Sequence, residues 1–510
     1  MKFKTLFPFS VRCAVLMLLS AILLGTLSGC GMIIINSPSS GTTAATTVAP
    51  ETSSPPETEE STEQAEQTEP PEEETTEVPE TARPIDPVVF PDRFGEAEER
   101  LEALTDPVGI SGIDLIIASA SDTSAVIFCE EDSPLYASRS KRNAMLYEKF
   151  EVNIRTIYES VDSDKLYDDL LLALKAGENA EIYLDLIVIP ANQVGRFLSK
   201  GLIKDMRSLP FYTINDGTTG PNVGNSRYAD LGDGTDTPEY LYALYFNRTL
   251  LGDDASAKLY ADALDGALTW ESVLTAAKGI SGTAADIAVN GGAALLGDLA
   301  VTLSVGDYIK KDGSGIPKLE LSENDLLRAD SLIQTVSGFS FYRSEENAAS
   351  AFECFKNGEI PFCLGTLSDI FDLYDEKTEW GLLPLPSERD LGAVSDDRPA
   401  ICIPVTGTRY EQTSIWLMGF NAASGDWIRD DLLQTSIENY LRDNSSCLSM
   451  AKILSQKAEV GFERIFAGYY DGLSDATFGG VGQAMLGEVR YSEIYAKNLS
   501  ALNKKLAKLP

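Results

Sequence analysis

The feature that most constrains this chain is an alternation of short apolar runs with helix-length amphipathic stretches between Ile113 and Ser199. Ile113 to Ala118 is an apolar run of strand length, Lys141 to Phe150 reads as a helix, and Val152 to Tyr158 alternates like a strand. The next helix carries its own punctuation. Ser163 is placed to cap it, Leu166, Leu170 and Leu174 share a face, and Gly177 ends it. Leu184 to Ile189 then reads as a buried strand stopped by Pro190, and Asn192 to Ser199 as a short helix. Alternation with short links implies βαβ units and a largely parallel sheet, hence an α/β fold.

Beyond a looser stretch from Pro210 to Pro238, Tyr240 to Phe246 is strand-like and aromatic. Thr269 is placed to cap a helix running to Lys278, and Ser322 another, with Leu321 and Leu326 as a hydrophobic staple. Ala348 to Phe355 reads as a helix, Lys356 to Glu359 as a turn, Ile360 to Leu364 as a strand, and Asp430 to Ala467 as mainly helical.

The N-terminal segment has a different character. Lys2, Lys4 and Arg12 precede an apolar run from Ala14 to Leu24, followed by Leu27-Ser28-Gly29-Cys30. This is the layout of an export signal, and its ending resembles the lipobox of bacterial lipoproteins. The resemblance implies removal of residues 1–29 and lipidation of Cys30, with the body held at the outer face of the cell membrane. The alternative is an ordinary membrane anchor, but the apolar core is shorter than the roughly 20 residues that a span needs. Residues 30–95 form a Thr/Glu/Pro-rich tract. Between Glu51 and Glu80 it has no basic residue and almost no large apolar one, so it is expected to be disordered. A flexible chain of about 60 residues spans about 45 Å, and prolines and like charges extend it further. The tract is thus a tether or a simple spacer.

The formal net charge of −37 disfavours nucleic acid as a partner and places the membrane link on the acyl chain rather than a basic patch. The sequence has no histidine, which removes Ser-His-Asp and Cys-His catalysis and His-ligated zinc. Cys129, Cys354, Cys363, Cys402 and Cys447 form no CxxC pair. They are either buried free thiols or members of one or two disulfides that sequence cannot assign. No cofactor or metal is called for. Asp230, Asp233 and Asp236 fit no EF-hand pattern and read as a solvated turn rather than a calcium loop. Glu130-Glu131 and Asp396-Asp397 are sequence neighbours. They do not provide the two separated carboxyls of a glycosidase.

Several phrases together resemble bacterial extracellular solute-binding proteins. Arg142 to Val152 resembles their first helix and second strand. Leu174-Lys175-Ala176-Gly177 followed by Asp185-Leu186-Ile187 resembles the next step, and Gly201 to Asp205 with Leu209-Pro210 the one after. Leu244 to Arg248, Leu268-Thr269-Trp270-Glu271, Ala351 to Gly358 and Gly381 to Pro386 complete the series. The phrases keep the family's order across about Ile113 to Ile453. They are most similar to the sugar-type, maltose-binding-protein-like members that serve ABC importers. The resemblance implies two Rossmann-like α/β lobes joined by a hinge, the class II periplasmic-binding-protein arrangement, closing on a mono- or oligosaccharide for delivery to a permease. One lobe would take residues 96–236 plus about 401–430, the other 237–400 plus about 431–510. No reaction is implied. The rival readings are a surface receptor or adhesin without transport, and a carboxylate-based glycosidase.

In open α/β sheets, ligands sit at the carboxyl ends of strands. That places Ser119 and Ser121 after the first strand, Asn192 and Gln193 after the third, and Thr366 and Ser368 after Ile360 to Leu364 as candidate ligand contacts. Tyr240 and Tyr242 lie at the implied crossover, and Tyr469, Tyr470 and Gln483 in a Gly-rich segment that could form a rim. Of the tryptophans, Trp270, Trp380 and Trp416 read as core, and Trp427 as half exposed.

Overall fold

The computed structural model describes residues 93–508 apart from 105–108, 121–125, 128–130, 132, 181, 213–221, 279, 281, 284, 290, 343–350, 374–377, 442 and 488. Cys30, the expected tether up to residue 92, Ser121 and Cys129 lie outside the described residues, whereas the last residues of the expected tether belong to a helix, Phe94–Glu102, whose Phe94 packs on Trp427. Among the described residues, no helix is long and apolar enough to cross a membrane.

The expected α/β class is present as two four-stranded sheets. Their strands are β1 (Asp114–Ala120), β2 (Asn153–Val161), β3 (Leu186–Pro190), β4 (Tyr242–Asn247), β5 (Ile287–Val289), β6 (Phe362–Thr366), β7 (Trp380–Leu383) and β8 (Pro399–Cys402). The first sheet has the order β8-β3-β1-β2. β1 runs parallel to β2 and β3, with Asp114 opposite Asn153 and Ile117 opposite Leu186. β8 lies antiparallel on β3, with Ala400 opposite Ile189. Leu186 to Ile189 are all fully buried, as expected for a parallel strand covered on both faces. The second sheet has the order β7-β4-β6-β5, and β4 runs antiparallel to both its neighbours.

Local signals account for the elements, but several ends shift; the helix expected from Lys141 already begins at Tyr136, and the strand expected to end at Tyr158 runs to Val161. The helix Ser163–Ala176 is capped by Asp162 rather than Ser163; its carboxylate accepts the Asp164 amide at 2.7 Å. An ionised carboxylate is a strong acceptor at this end. Its buried face follows Leu166, Leu170 and Ala173, whereas Leu174 is 39% exposed. Tyr240 closes a 3-10 turn from Pro238, so the strand starts at Tyr242. The Ser322 cap is reciprocal: its Oγ accepts the Asp325 amide at 3.2 Å, and the Asp325 carboxylate accepts the Ser322 amide at 3.0 Å. Those bonds hold the Asp325 carboxyl below its usual range. Leu321 and Leu326 both pack against the core. Ser322→Ala is expected to lower stability by about 1 kcal/mol, measurable as a shift in urea midpoint at unchanged m.

Helices cover both faces of each sheet. Under the first, Tyr136–Phe150 meets Tyr410–Ala422, and the Phe150 ring lies directly on the Gly419 backbone, where a Cβ would come within 2.1 Å. On its other face Phe462–Phe466 packs on Val194–Ser199 through Gly195, whose added Cβ would lie 2.8 Å from the Ile465 carbonyl. All four tryptophans are buried, including Trp427 at 8% exposure, which corrects its expected half exposure. Its indole N–H donates to the Ala423 carbonyl and its ring meets Phe94 edge-on, so the polar edge is satisfied inside the core. Cys354, Cys363, Cys402 and Cys447 are free thiols.

The chain leaves the first sheet through Asp230–Leu241 and returns through Val394–Ile401, and the two crossings run antiparallel. Asp230 and Ile401 exchange backbone hydrogen bonds of 2.8 and 3.1 Å. Nearer the second sheet, the Ser395 amide donates to the Tyr240 carbonyl at 2.9 Å and the Tyr242 amide to the Ala393 carbonyl at 2.8 Å. Asp230 is not a solvated turn residue. It is 1% exposed and paired with Arg227 at 3.1 Å, while Asp236 pairs with Arg429. No group of His, Cys, Asp and Glu side chains able to hold a metal ion occurs among the described residues.

Candidate functional site

A cavity of about 590 Å³ opens where the second sheet meets the return crossing. β6 ends at Thr366 opposite the first residue of β4, Tyr242, so antiparallel pairing brings both to one sheet edge. After β5, Gly291 and Gly292 take φ of 97° and 70°, and the helix Gly292–Ser304 begins there with Ala294 and Leu295 on the cavity. L-residues with a Cβ rarely tolerate such a pair. The return crossing contributes Ser395, Asp396 and Asp397. Arg464 and Phe478 close the wall together with Gly479 and Gly482.

The polar groups are held in place before any ligand arrives. Asp369 Oδ2 accepts the Thr366 amide at 2.7 Å, and burial followed by repulsion from Asp372 raises its carboxyl. The Thr366 and Ser368 hydroxyls lie 2.7 Å apart, and the buried Tyr245 hydroxyl donates to the Thr366 carbonyl at 2.6 Å. Arg464 joins three elements. It donates to Asp396 on the crossing at 3.1 Å, pairs with Asp298 on the helix behind, and stacks over Phe478 at 4.0 Å. Tyr308 donates to Asp298 at 2.8 Å. Burial pushes the Tyr242 hydroxyl up to about 12, so it stays a neutral donor at physiological pH.

The expected contacts fall in different places. Tyr242 and Thr366 line the cavity. Ser368 is exposed beside it. Asn192, just after β3 of the first sheet, does not line it but bonds to two residues that do, donating through Nδ2 to Asp397 at 2.9 Å and through its amide to the Asp396 carbonyl at 3.0 Å. Gln193 supports Asn192 at 3.1 Å. Tyr240 is half-buried in its turn and does not line the cavity, and Ser119 is fully buried in β1 with no hydrogen-bond partner for its Oγ. The rim is not built from Tyr469 and Tyr470. Tyr470 is 4% exposed and packs on Phe462, and Gln483 stands one residue beyond the lining glycine.

Sequence reasoning did not single out the lining residues Asp369, Arg464 and Phe478, and set Asp396-Asp397 aside as sequence neighbours unsuited to glycoside hydrolysis. The usable signal was positional: Asp396-Asp397 immediately precedes the implied return to the first lobe near residue 401. Nothing local marks Arg464 or Phe478.

No protein-family model matches the chain, and no curated protein matches it. Solved structures do. The GacH receptor of Streptomyces glaucescens, studied with acarbose, is 14% identical over 78% of this chain and 100% of that one, with a TM-score of 0.46. An ABC transporter-associated binding protein from B. animalis subsp. lactis, solved with β-1,6-galactobiose, is 16% identical over 77% of this chain and 98% of its own, at a TM-score of 0.47. UgpB from Mycobacterium tuberculosis, in complex with glycerophosphocholine, is 14% identical over 77% and 98%, at 0.45.

Proposed function

We propose that this chain is a lipid-anchored binding protein that captures a small solute, a mono- or oligosaccharide, outside the cell and hands it to an ABC permease. The observation that carries the reading is the cavity itself. It has the volume of a small-molecule site, lies against two antiparallel crossings, and is lined by planar carboxylates and hydroxyls suited to sugar hydroxyls. The lobes are residues 96–236 with about 401–430, and 237–400 with about 431–510. A few backbone torsions in the crossings suffice for a hinge. Asn192 of the first lobe, bonded to Asp397, would tighten on the ligand as the lobes close. Cys30 carries the lipid and the tract behind it spaces the body from the membrane. No bond is made or broken: Asp396 is tied to Arg464 and Asp397 to Asn192, so neither is placed as an acid or a nucleophile.

The test is a thermal-shift and calorimetric screen of the full chain against mono- and oligosaccharides, amino acids and short peptides. A sugar at 100 times its Kd is expected to add about 2.7 kcal/mol, a shift of a few degrees, without turnover. Asp369→Ala should weaken that sugar about tenfold or more, the cost of a hydrogen bond to a charged group. Product formation would replace the reading with a hydrolase. Silence across the sugars would remove it.

A further inference from the structure

The helix Phe94–Glu102 belongs to neither sheet, yet it is bound on both sides of the joint between them. Ala97 and Leu101 are its buried residues, and four positions apart they share one face. They enter different cores. Ala97 is buried in the cluster that holds Tyr245 of β4 and Leu432 of the helix Asp426–Asn439. Leu101 is buried in the cluster that holds Ile117 of β1 and Phe420 of the helix Tyr410–Ala422. The seam between the two cores therefore runs beneath this helix. Phe94 shows the same division in one ring. Lys141, from the helix Tyr136–Phe150, places its Nζ 3.0 Å from the ring centre, and Trp427, from the helix Asp426–Asn439, meets the ring edge-on at 5.2 Å.

Under the helix the chain makes a further crossing from one core to the other, at residues 423–425. Ser424 is fully buried, and Gly425 takes φ 120°, a torsion that residues with a Cβ rarely adopt. Arg100 clasps this crossing. Its Nε donates to the Ala422 carbonyl at 3.1 Å and its Nη2 to the Ser424 carbonyl, and a Cβ on Gly425 would come within 2.6 Å of Nη2. The Ala422 carbonyl is one that a helix end leaves without an amide, where a cation is also favoured. Arg93 ties the other end of the helix to Asp426 at 2.9 Å and Asp430 at 3.5 Å.

Turning one lobe on the other changes torsions in the crossings. At residues 423–425 such a change has to break the Arg100 clasp, draw Phe94 and Ala97 out of one core, or draw Leu101 out of the other. We propose that residues 93–102 form a strap across the joint that limits how far the lobes turn, and that undocking of this helix releases them. The strap rests on the two-lobe reading above and not on the identity of the solute.

The experiment is hydrogen–deuterium exchange of the full chain without solute, read by mass spectrometry. It compares the parent with Phe94→Ala, with Arg100→Ala, and with Glu98→Gln on the exposed face of the same helix as a control. Arg100 is exposed, so its variant leaves the core untouched should Phe94→Ala fail to fold. In the parent, the paired amides of the crossings, among them Asp230, Ser395 and Ile401, are expected to exchange faster than those of β3 and β6. Phe94→Ala and Arg100→Ala should each speed exchange at the crossings about tenfold, the scale of one or two lost hydrogen bonds. β3, β6 and the Glu98→Gln protein should stay at the parent's rates. An equal rise in crossings and sheets makes the helix an ordinary part of the fold and overturns the strap, as do unchanged rates at the crossings. Both results leave the two-lobe reading standing. Crossings as protected as the sheets in the parent remove the joint, and the strap with it.

Discussion

Replacing Arg227 with Met is expected to cost about 3–5 kcal/mol of folding stability, the penalty for leaving one partner of a buried ion pair alone. Arg227 and Asp230 are each 1% exposed and meet at 3.1 Å. Asp230 also accepts the Gly232 amide at 2.9 Å and the Asn421 amide group at 2.5 Å. Those bonds were arranged around an ionised carboxylate that water does not reach. Without the guanidinium its charge has no counter-ion at contact among the described residues. Arg227 Nε additionally donates to the Ala229 carbonyl at 3.1 Å, a bond that Met cannot make. The pair sits where the chain enters the outgoing crossing, since Asp230 exchanges both backbone hydrogen bonds with Ile401 of β8. The loss is therefore expected to loosen the hinge as well as the fold. Urea unfolding of Arg227→Met, Asp230→Asn and the double variant measures the coupling. The double variant should recover part of the loss. Strictly additive single effects would show that the pair contributes nothing of its own.

The second large effect is a stability that falls as pH rises. Burial pushes the Glu463 carboxyl from its ordinary 4.5 up to about 8; its own backbone amide and Arg464 oppose the shift, and Asp298 and Asp307 add to it. The folded state therefore keeps a proton that the unfolded chain has already released. This contribution is complete below the unfolded value near 4.5 and is lost as pH rises through about 8. A shift of this size corresponds to about 5 kcal/mol across that window. Glu463→Gln has no proton to lose, so its stability relative to the parent should improve from pH 5 to pH 8.5. An amide in place of the carboxyl can add a constant offset, so the slope of the difference with pH is the quantity to read. Parallel curves for the two proteins would mean that Glu463 ionises normally.

The secondary structure was legible because its signals are local. The Thr269 cap, with its Oγ1 accepting the Ser272 amide at 3.1 Å, the Ser322 capping box, and Gly358 at φ 75° in the turn before β6 each depend on neighbours within a few residues. The continuous apolar run of β3 likewise announced a doubly covered strand. The Asp162 cap was misplaced by one position because Asp162 and Ser163 are both capping types, and only the backbone turn selects between them. Trp427 was misjudged because Asp426 and Arg429 beside it are polar, while helical geometry points its ring inward.

By itself the sequence determined the α/β class, the alternation that builds the first sheet, and the apolar runs that carry Tyr242 and lead to Thr366, but not that the two pair at one edge. Apolar periodicity and capping chemistry are written within one or two turns of chain. Only the tertiary structure decided what surrounds those two residues. Arg464 reaches Asp396 across 68 residues and Asp298 across 166, and Asn192 reaches Asp397 across 205. Contacts at such separations leave no period and no spacing rule in a sequence. They are set by how the helix Phe462–Phe466 packs on Gly195 and by how the two crossings pair. The charge balance of the cavity belongs to that same level, because it follows from which carboxylates the packing brings together and which cation it leaves beside them.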